Sequence, residues 1–389
     1  MQFTHYTPTK ILFGRGQLSN LHTMALPGKK ALIVITNGHS VIDNGYLARL
    51  EEELKAADIS YCIYNKITAN PTKDEVMEGA KYARENQCDF VIGLGGGSPI
   101  DASKAIAIMA TNKGDYWDYM MTGTGKRQSV TESPLPIVAI TTTAGTGTEV
   151  DPWTVISNTE TKEKIGFGID GTFPVLAVVD AELMISVPQK YTLYQGFDAL
   201  FHSLEGYLAN IATPISDMYA LKAIELIAEN LPNALLNGED IEARENMALA
   251  SMLSGLVEST SGCISEHGME HILSGEHKEL PHGAGLIMLC TSYFEMIAKK
   301  KCSDLRLVKM AQVMGNKTAY EPRDFVKTLK EFIKTCGAND LKMSDYGITR
   351  SQMSEFAQRV KTQNERSFRL DPCDLTLADC IEIFEKSYK

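Results

Sequence analysis

Short apolar runs alternate with amphipathic stretches through the first half of the chain, the pattern of strands and helices in a parallel sheet. Lys30–Thr36 (KALIVIT) reads as a buried strand, followed by a turn at 37–40 and a helix through 47–57. A second short strand is expected at 60–64, and helix formers fill 71–86. A third strand, 88–94 (CDFVIGL), runs into Gly95, Gly96, Gly97 and Ser98, and a helix is expected from Pro99. Beyond a polar, Gly-rich stretch at 122–133, the run 136–141 (PIVAIT) reads as a strand leading into 142–149 (TTAGTGTE), and 175–180 (VLAVVD) closes the sheet-like half. From about Pro188 strand-like runs largely disappear. Apolar residues then fall at helical spacing, as at Met218, Leu221, Ile224 and Ile227. A domain boundary is therefore expected near 181–190, with an α/β nucleotide-type domain over 1–185 and an all-α domain over 186–389.

Length supports two domains, because 389 residues exceed the roughly 250–300 at which single cores stop growing. A composition of 44% hydrophobic and 22% charged residues is that of an ordinary globular protein. The net charge of −11 would repel phosphate backbones and anionic headgroups, and no dense Lys/Arg run offsets it, so neither nucleic acid nor membrane is an expected partner. The eight cysteines contain no C-x-x-C pair, which points to reduced thiols rather than a disulfide framework or a zinc ribbon. The first residues, MQFTHYTPTKILFG, lack the charged lead and apolar run of a signal peptide, so a cytoplasmic protein is expected.

Two motif groups carry chemistry. Gly95, Gly96, Gly97 and Ser98 lie between a strand and a helix, where bare backbone can approach a pyrophosphate and the helix start offers unpaired N–H groups. Ser98 is expected as the N-cap, with Asp101 completing a capping-box-like arrangement. A plain tight turn is the competing reading. The run is not the G-x-G-x-x-G fingerprint, which suggests a variant nucleotide fold. The loop from Thr142 and Thr143 to Thr148 is rich in small hydroxyl residues and reads equally well as a nicotinamide-lining segment or as a solvent loop.

Five of the eight histidines fall between 202 and 282. Asp198 and His202 are four apart, so on a helix both project from one face. His267 and His271 repeat that spacing, and His282, between Pro281 and Gly283, is placed to arrive from a third direction. Either pair alone reads more readily as a surface hydrogen-bonded contact or a packing histidine than as a metal site. Three imidazoles with one carboxylate suit Fe²⁺ or Zn²⁺ better than Ca²⁺ or Mg²⁺.

Taken in order, Gly95 to Ser98 with Asp101, the 142–149 loop, 196–205 (GFDALFHSLE) and the His267 to Pro281-His282-Gly283 segment resemble the iron-containing (group III) alcohol dehydrogenases, relatives of glycerol dehydrogenase and dehydroquinate synthase. The resemblance implies a Rossmann-like N-terminal domain and a helical C-terminal domain, with the cofactor in the cleft between them. It implies one metal, Fe²⁺ or Zn²⁺, at Asp198, His202, His267 and His282. Gly95, Gly96, Gly97 and Ser98 would hold the pyrophosphate, and Asp101, Thr142, Thr143, Lys164 and Asn70 would contact the rest of the dinucleotide. Where NAD-preferring members carry an aspartate after the first strand this chain has Asn37, which leans the expectation toward NADP(H) over NAD(H). The stretch between His271 and His282 also departs from the family spacing, with an additional Glu276 and His277.

The expected reaction is hydride transfer between NAD(P)(H) and a small primary alcohol, diol or aldehyde, with the metal polarising the substrate oxygen. His271 is the candidate proton relay and His277 the alternative. A homodimer or higher homo-oligomer is expected. A dehydroquinate synthase-type cyclase is the competing function. It would want a glutamate in place of Asp198 and basic residues for a substrate phosphate.

Overall fold

The computed structural model describes residues 2–389, which divide into two compact units. One holds Tyr6–Val187, and the other Pro188–Lys389 with residues 2–5.

The first unit contains strands β1 (Lys10–Phe13), β2 (Lys30–Thr36), β3 (Ser60–Ile67), β4 (Phe90–Gly95), β5 (Ile137–Thr141), β6 (Thr154–Asn158), β7 (Glu163–Phe167) and β8 (Leu176–Val179). Its main helices are α1 (Ser40–Asp43), α2 (Tyr46–Ala56), α3 (Lys73–Glu85) and α4 (Gly97–Thr111). Six strands form one parallel sheet in the order β1-β8-β5-β4-β2-β3, and β6 and β7 pair separately as an antiparallel hairpin. The unbroken apolar run of β2 follows from burial on both faces. Ala31, Ile33 and Ile35 pack with Leu50 and Leu54 of α2, while Leu32 and Val34 pack with Val76 and Ala80 of α3 and Ile106 of α4.

The chain moves from β2 outward to β3 and then back past β2 to β4. The strand order therefore reverses between β2 and β4, the place where open parallel sheets take ligands at their carboxyl ends. Asn37 follows β2, Gly95 ends β4, and Thr142 follows β5.

Three features of this unit depart from the sequence reading. Helix α4 begins at Gly97, with the extended Gly96 as its uncapped N-cap, so Ser98 lies inside the first turn. Asp101 is consequently too deep in the helix to close a capping box. Its carboxylate accepts instead from Thr148 Oγ1 at 2.6 Å and from Val155 N at 2.8 Å. Strand β1 and the β6–β7 hairpin were not anticipated. The first is a four-residue edge strand, and β7 (EKIGF) carries charges that read as surface although Glu163 and Lys164 are buried. Glu163 is satisfied there by Thr161 Oγ1 at 2.7 Å and Thr124 N at 2.9 Å.

The second unit is helical: α5 (Gln189–Leu208), α6 (Pro214–Leu236), α7 (Ile241–Ser261), α8 (Ser265–Glu276), α9 (His282–Lys300), α10 (Asp304–Val313), α11 (Pro322–Thr335), α12 (Met353–Gln363), α13 (Glu365–Leu370) and α14 (Leu377–Ser387). Helix α5 is its central element, buried without a break from Gly196 to Leu208. The apolar face of α6 runs through Ala220, Ala223, Ile224, Ile227 and Leu231, whereas Met218, read as part of that stripe, is 66% exposed. Among the described residues no single helix is long and apolar enough to cross a membrane.

Lys104 of α4 is fully buried and donates to Asp151 Oδ1 at 2.9 Å and Trp153 O at 2.7 Å, tying α4 to the segment after the threonine loop. Glu149, in the same loop, is buried with neither carboxylate oxygen hydrogen-bonded. Burial pushes its carboxyl from 4.5 up to about 7, although Lys104 opposes the shift. A folded-state pKa above the unfolded one means the native state holds the extra proton, so stability falls as pH rises from 4.5 to about 7. The loss amounts to roughly 3 kcal/mol. Glu149→Gln should therefore match wild type in urea denaturation at low pH, gain on it through this window and keep a constant advantage above it. A difference that does not vary with pH would show that Glu149 does not titrate there.

Candidate metal centre

Helix α5 places Asp198, His202 and Glu205 at i, i+4 and i+7, on one face and in the interior. Helix α8 contributes His267 in its first turn, and α9 begins at His282 itself, directly after Pro281. Two glycines let α9 approach. A Cβ at Gly283 would stand 2.2 Å from the backbone oxygen of Tyr194 in α5, and one at Gly285 would stand 2.8 Å from Glu270 Cγ in α8. Glycine at both positions brings the start of α9, and with it His282, against α5 and α8.

The three imidazoles meet at a single oxygen. Asp198 Oδ1 lies 3.7 Å from His202 Nε2, 3.6 Å from His267 Nε2 and 3.5 Å from His282 Nε2. These separations are too long for hydrogen bonds. They are close to the edge of a tetrahedron, about 3.4 Å, whose corners sit at ordinary metal–nitrogen and metal–oxygen distances. Asp198 Oδ1 and His267 Nε2 are buried and have no hydrogen-bond partner, an arrangement that a bound ion would relieve. The residues thus fit a divalent borderline ion.

For two of the three rings the far side explains why Nε2 points inward, while His202 Nδ1 is buried without a hydrogen-bond partner. His267 Nδ1 bonds the buried carboxylate of Glu205, and His282 Nδ1 bonds that of Glu270. A carboxylate at Nδ1 fixes the ring orientation and holds a proton on that side, so that Nε2 faces Asp198 and could offer its lone pair to an ion there. Burial disfavours ionisation of Asp198, yet the surrounding His202, His282 and His267 hold its carboxyl well below the usual range.

His271 belongs to the same neighbourhood, its ring centroid 5.4 Å from that of His282. His277 does not. It caps the end of α8, edge-on to Phe356, with its Nε2 3.3 Å from Gln352 Nε2. Cys263, Glu205, Glu266 and Glu270 were not singled out in the sequence. Cys263 Sγ clusters with ring nitrogens of His202 and His267, all within 4.8 Å of one another. The signal for the glutamates was available: Glu205 extends the Asp198–His202 helical series by a turn, and Glu270 is three residues from His267.

In the first unit Gly95 to Ser98, Thr142 and Thr143 gather at the carboxyl ends of β4 and β5. Gly95 has a φ of 143°, a Cβ at Gly96 would stand 3.0 Å from Thr143 Cγ2, and one at Gly97 would stand 2.7 Å from Thr146 Cγ2. The glycine loop therefore rests bare against the threonine loop, and Thr142 N donates to Gly95 O at 2.9 Å. Asn70 has a positive φ of 57°, and Pro71 O beside it accepts from Ser157 N of β6 at 2.8 Å. Lys164 sits in β7, opposite Ser157, and Asn37 is exposed beyond the end of β2.

The model of the iron-containing alcohol dehydrogenase family matches residues 8–181, and that of the C-terminal part of the Fe-containing alcohol dehydrogenase family matches 192–388. The 1,3-propanediol dehydrogenase of Klebsiella pneumoniae is 35% identical over 317 residues, covering 80% of this chain and 79% of the relative. Alcohol dehydrogenase 4 of Saccharomyces cerevisiae is 31% identical over 386 residues, 99% of this chain and 98% of the relative. The crystal structure of the archaeal halo-thermophilic Red Sea brine pool alcohol dehydrogenase ADH/D1 superposes with a TM-score of 0.94 at 32% identity, covering 100% of this chain and 99% of that one. With family matches running through both units, and the Asp198 cluster inside the second of them, the chain belongs to the iron-containing alcohol dehydrogenase family and is an oxidoreductase.

Proposed function

We propose that the protein moves a hydride between a nicotinamide dinucleotide and a small alcohol, diol or aldehyde, with Asp198, His202, His267 and His282 holding one divalent metal ion. The observation that carries this reading is the convergence of three Nε2 atoms on the unpartnered Asp198 Oδ1. The family brings iron and nicotinamide chemistry with it. When bound, the ion supplies Lewis-acid stabilisation of the charge that develops on the substrate oxygen. Both relatives named above are dehydrogenases, which favours net hydride transfer over cyclisation.

The chain's own residues do the rest. Glu205 and Glu270 keep the Nδ1 protons of His267 and His282 in place, and such outer partners are worth about 10–100-fold in metal affinity. His271, beside His282, takes or gives the proton of the reacting hydroxyl through an imidazole nitrogen, a role His277 is less well placed to fill. In the first unit Gly95, Gly96, Gly97 and Ser98 receive the pyrophosphate at the start of α4, and Thr142, Thr143, Asn70 and Lys164 contact the remainder of the dinucleotide. Asp101 serves by holding Thr148 and β6 in place behind that surface.

Asn37 supports a preference for NADP(H), because it sets no carboxylate against a ribose 2′-phosphate. Asn37→Asp should swing the kcat/KM ratio toward NAD(H) by about tenfold or more, since juxtaposed like charges cost several kcal/mol. An unchanged ratio would remove Asn37 from cofactor selection.

Asp198→Ala and His267→Ala should each lower bound metal, read by elemental analysis, and abolish alcohol oxidation. Full activity after exhaustive chelation of the wild-type protein would sink the metal reading. His271→Gln should leave metal content intact and reduce turnover by about 10²–10⁴-fold, the range of general acid–base catalysis. Undiminished turnover in that variant would reject the relay.

A further inference from the structure

Five carboxylates surround the histidines, and they are not alike. The side chains of Glu205 and Glu270 are fully buried, Glu266 is buried, and that of Asp198 is 6% exposed. Glu258, on the last turn of α7, keeps 18% of its side chain exposed while its Oε2 stands 3.6 Å from His202 Nε2. Asp198 Oδ1 stands at 3.7 Å from the same nitrogen. Among these five, Glu258 is thus the carboxylate that combines closeness to the candidate metal centre with the greatest solvent exposure.

The neighbours of Glu258 extend the same character. Cys263 lies just past the α7 terminus with its Sγ near His202 and His267. Arg366 of α13 is within electrostatic reach of both: burial lowers its pKa, and Glu258 and Cys263 are the groups that raise it back. A carboxylate and a thiol beside the histidines, with a guanidinium within electrostatic reach, are a poor seat for an alkyl chain, because packing methylenes against charged groups strips their hydration with nothing in return. A hydroxyl, which donates and accepts at once, suits an acceptor with a donor beside it. A quaternary ammonium alcohol would feel the like charge of Arg366, and a hydroxy acid that of Glu258.

We propose that Glu258 is a specificity-determining residue that accepts a hydrogen bond from a substrate hydroxyl other than the reacting one, so that the preferred substrates are neutral diols or polyols and their hydroxyaldehydes. This rests on the metal-centred dehydrogenase reading and names the substrate class of that same site. A glutamine at 258 keeps an acceptor oxygen without the charge, and a leucine keeps neither.

The test uses the full-length protein loaded with Fe²⁺, as wild type, Glu258→Gln and Glu258→Leu. For each, kcat and KM are measured with propane-1,2-diol, propane-1,3-diol, glycerol, 1-propanol, choline and lactate, together with metal content by elemental analysis. Wild type should favour its best diol or polyol over 1-propanol by about tenfold or more in kcat/KM. Glu258→Leu should cut that ratio at least tenfold, chiefly through KM of the diol, Glu258→Gln should retain most of it, and all three proteins should bind the same amount of metal. A ratio unmoved by Glu258→Leu, or a wild-type preference for 1-propanol, overturns the proposal. Preference for choline that vanishes in Glu258→Gln would assign the carboxylate to a cation instead, and metal loss in that variant would make Glu258 a ligand. If metal-loaded wild type oxidises no alcohol at all, the dehydrogenase reading fails and takes this one with it. Turnover without the selectivity defeats this one alone.

Discussion

The Asp198 carboxylate and the imidazoles around it impose the constraint on which the second unit is built. An isolated buried carboxylate costs many kcal/mol unless it is paired. Here Asp198, Glu205, Glu266 and Glu270 are all buried within one neighbourhood. Two of them are relieved by histidine N–H groups, Glu205 by His267 and Glu270 by His282. Asp198 Oδ1 is left facing three ring nitrogens without a hydrogen bond to any of them. On the proposed reading, a divalent ion at that point would balance the excess of inward carboxylates over protein cations, and the polar interior would follow from metal binding. It would be hard to account for as a device for folding alone, since buried ionic groups seldom stabilise relative to apolar packing.

Close helix packing follows from the same requirement. The Asp198, His202, His267 and His282 side chains of three helices can reach one point only if the helices approach more closely than ordinary side chains allow. Gly283 admits the α5 backbone, Gly285 admits Glu270, and Gly196 of α5 admits Leu231 of α6, where a Cβ would stand 2.4 Å from Leu231 Cδ1. Glycine inside a helix costs about 1 kcal/mol relative to alanine. That cost is accepted at the positions that bring α9 to α5 and α8 and seat α5 in its bundle.

Hydrophobic patterning was enough to delimit β2 at Lys30–Thr36, because a strand buried on both faces leaves an uninterrupted apolar run, and the i, i+4 spacing of Asp198 and His202 stated in advance that both would face one way. Edge strand β1 and hairpin strand β7 were illegible for the opposite reason. Their burial is partial or is secured by hydrogen bonds to charged side chains, so their composition resembles a surface. The expected cap at Ser98 failed because the helix begins earlier, at a glycine whose neighbours leave no room for a side chain. Glu205 and Glu270 lay in plain view, but the chain carries 49 acidic residues, and only the fold decides which of them turn inward.

The threonine loop shows the complementary situation in the first unit. Lys104 and Asp101 hold it from behind through Asp151, Trp153, Thr148 and Val155. Glu149 lies in the same loop with its two oxygens unbonded, a local conflict that selection for stability alone would remove. Such conflicts are found where a surface must keep a particular shape for a ligand, and the cost is borne elsewhere in the domain. Glu149 and Asp198 thus stand for two kinds of buried acid. One is held ionised by surrounding imidazoles. The other stays protonated toward neutrality because nothing beside it is strong enough to hold its charge, and this sets the loop's stability against pH in the range where a dehydrogenase must exchange protons with its surroundings.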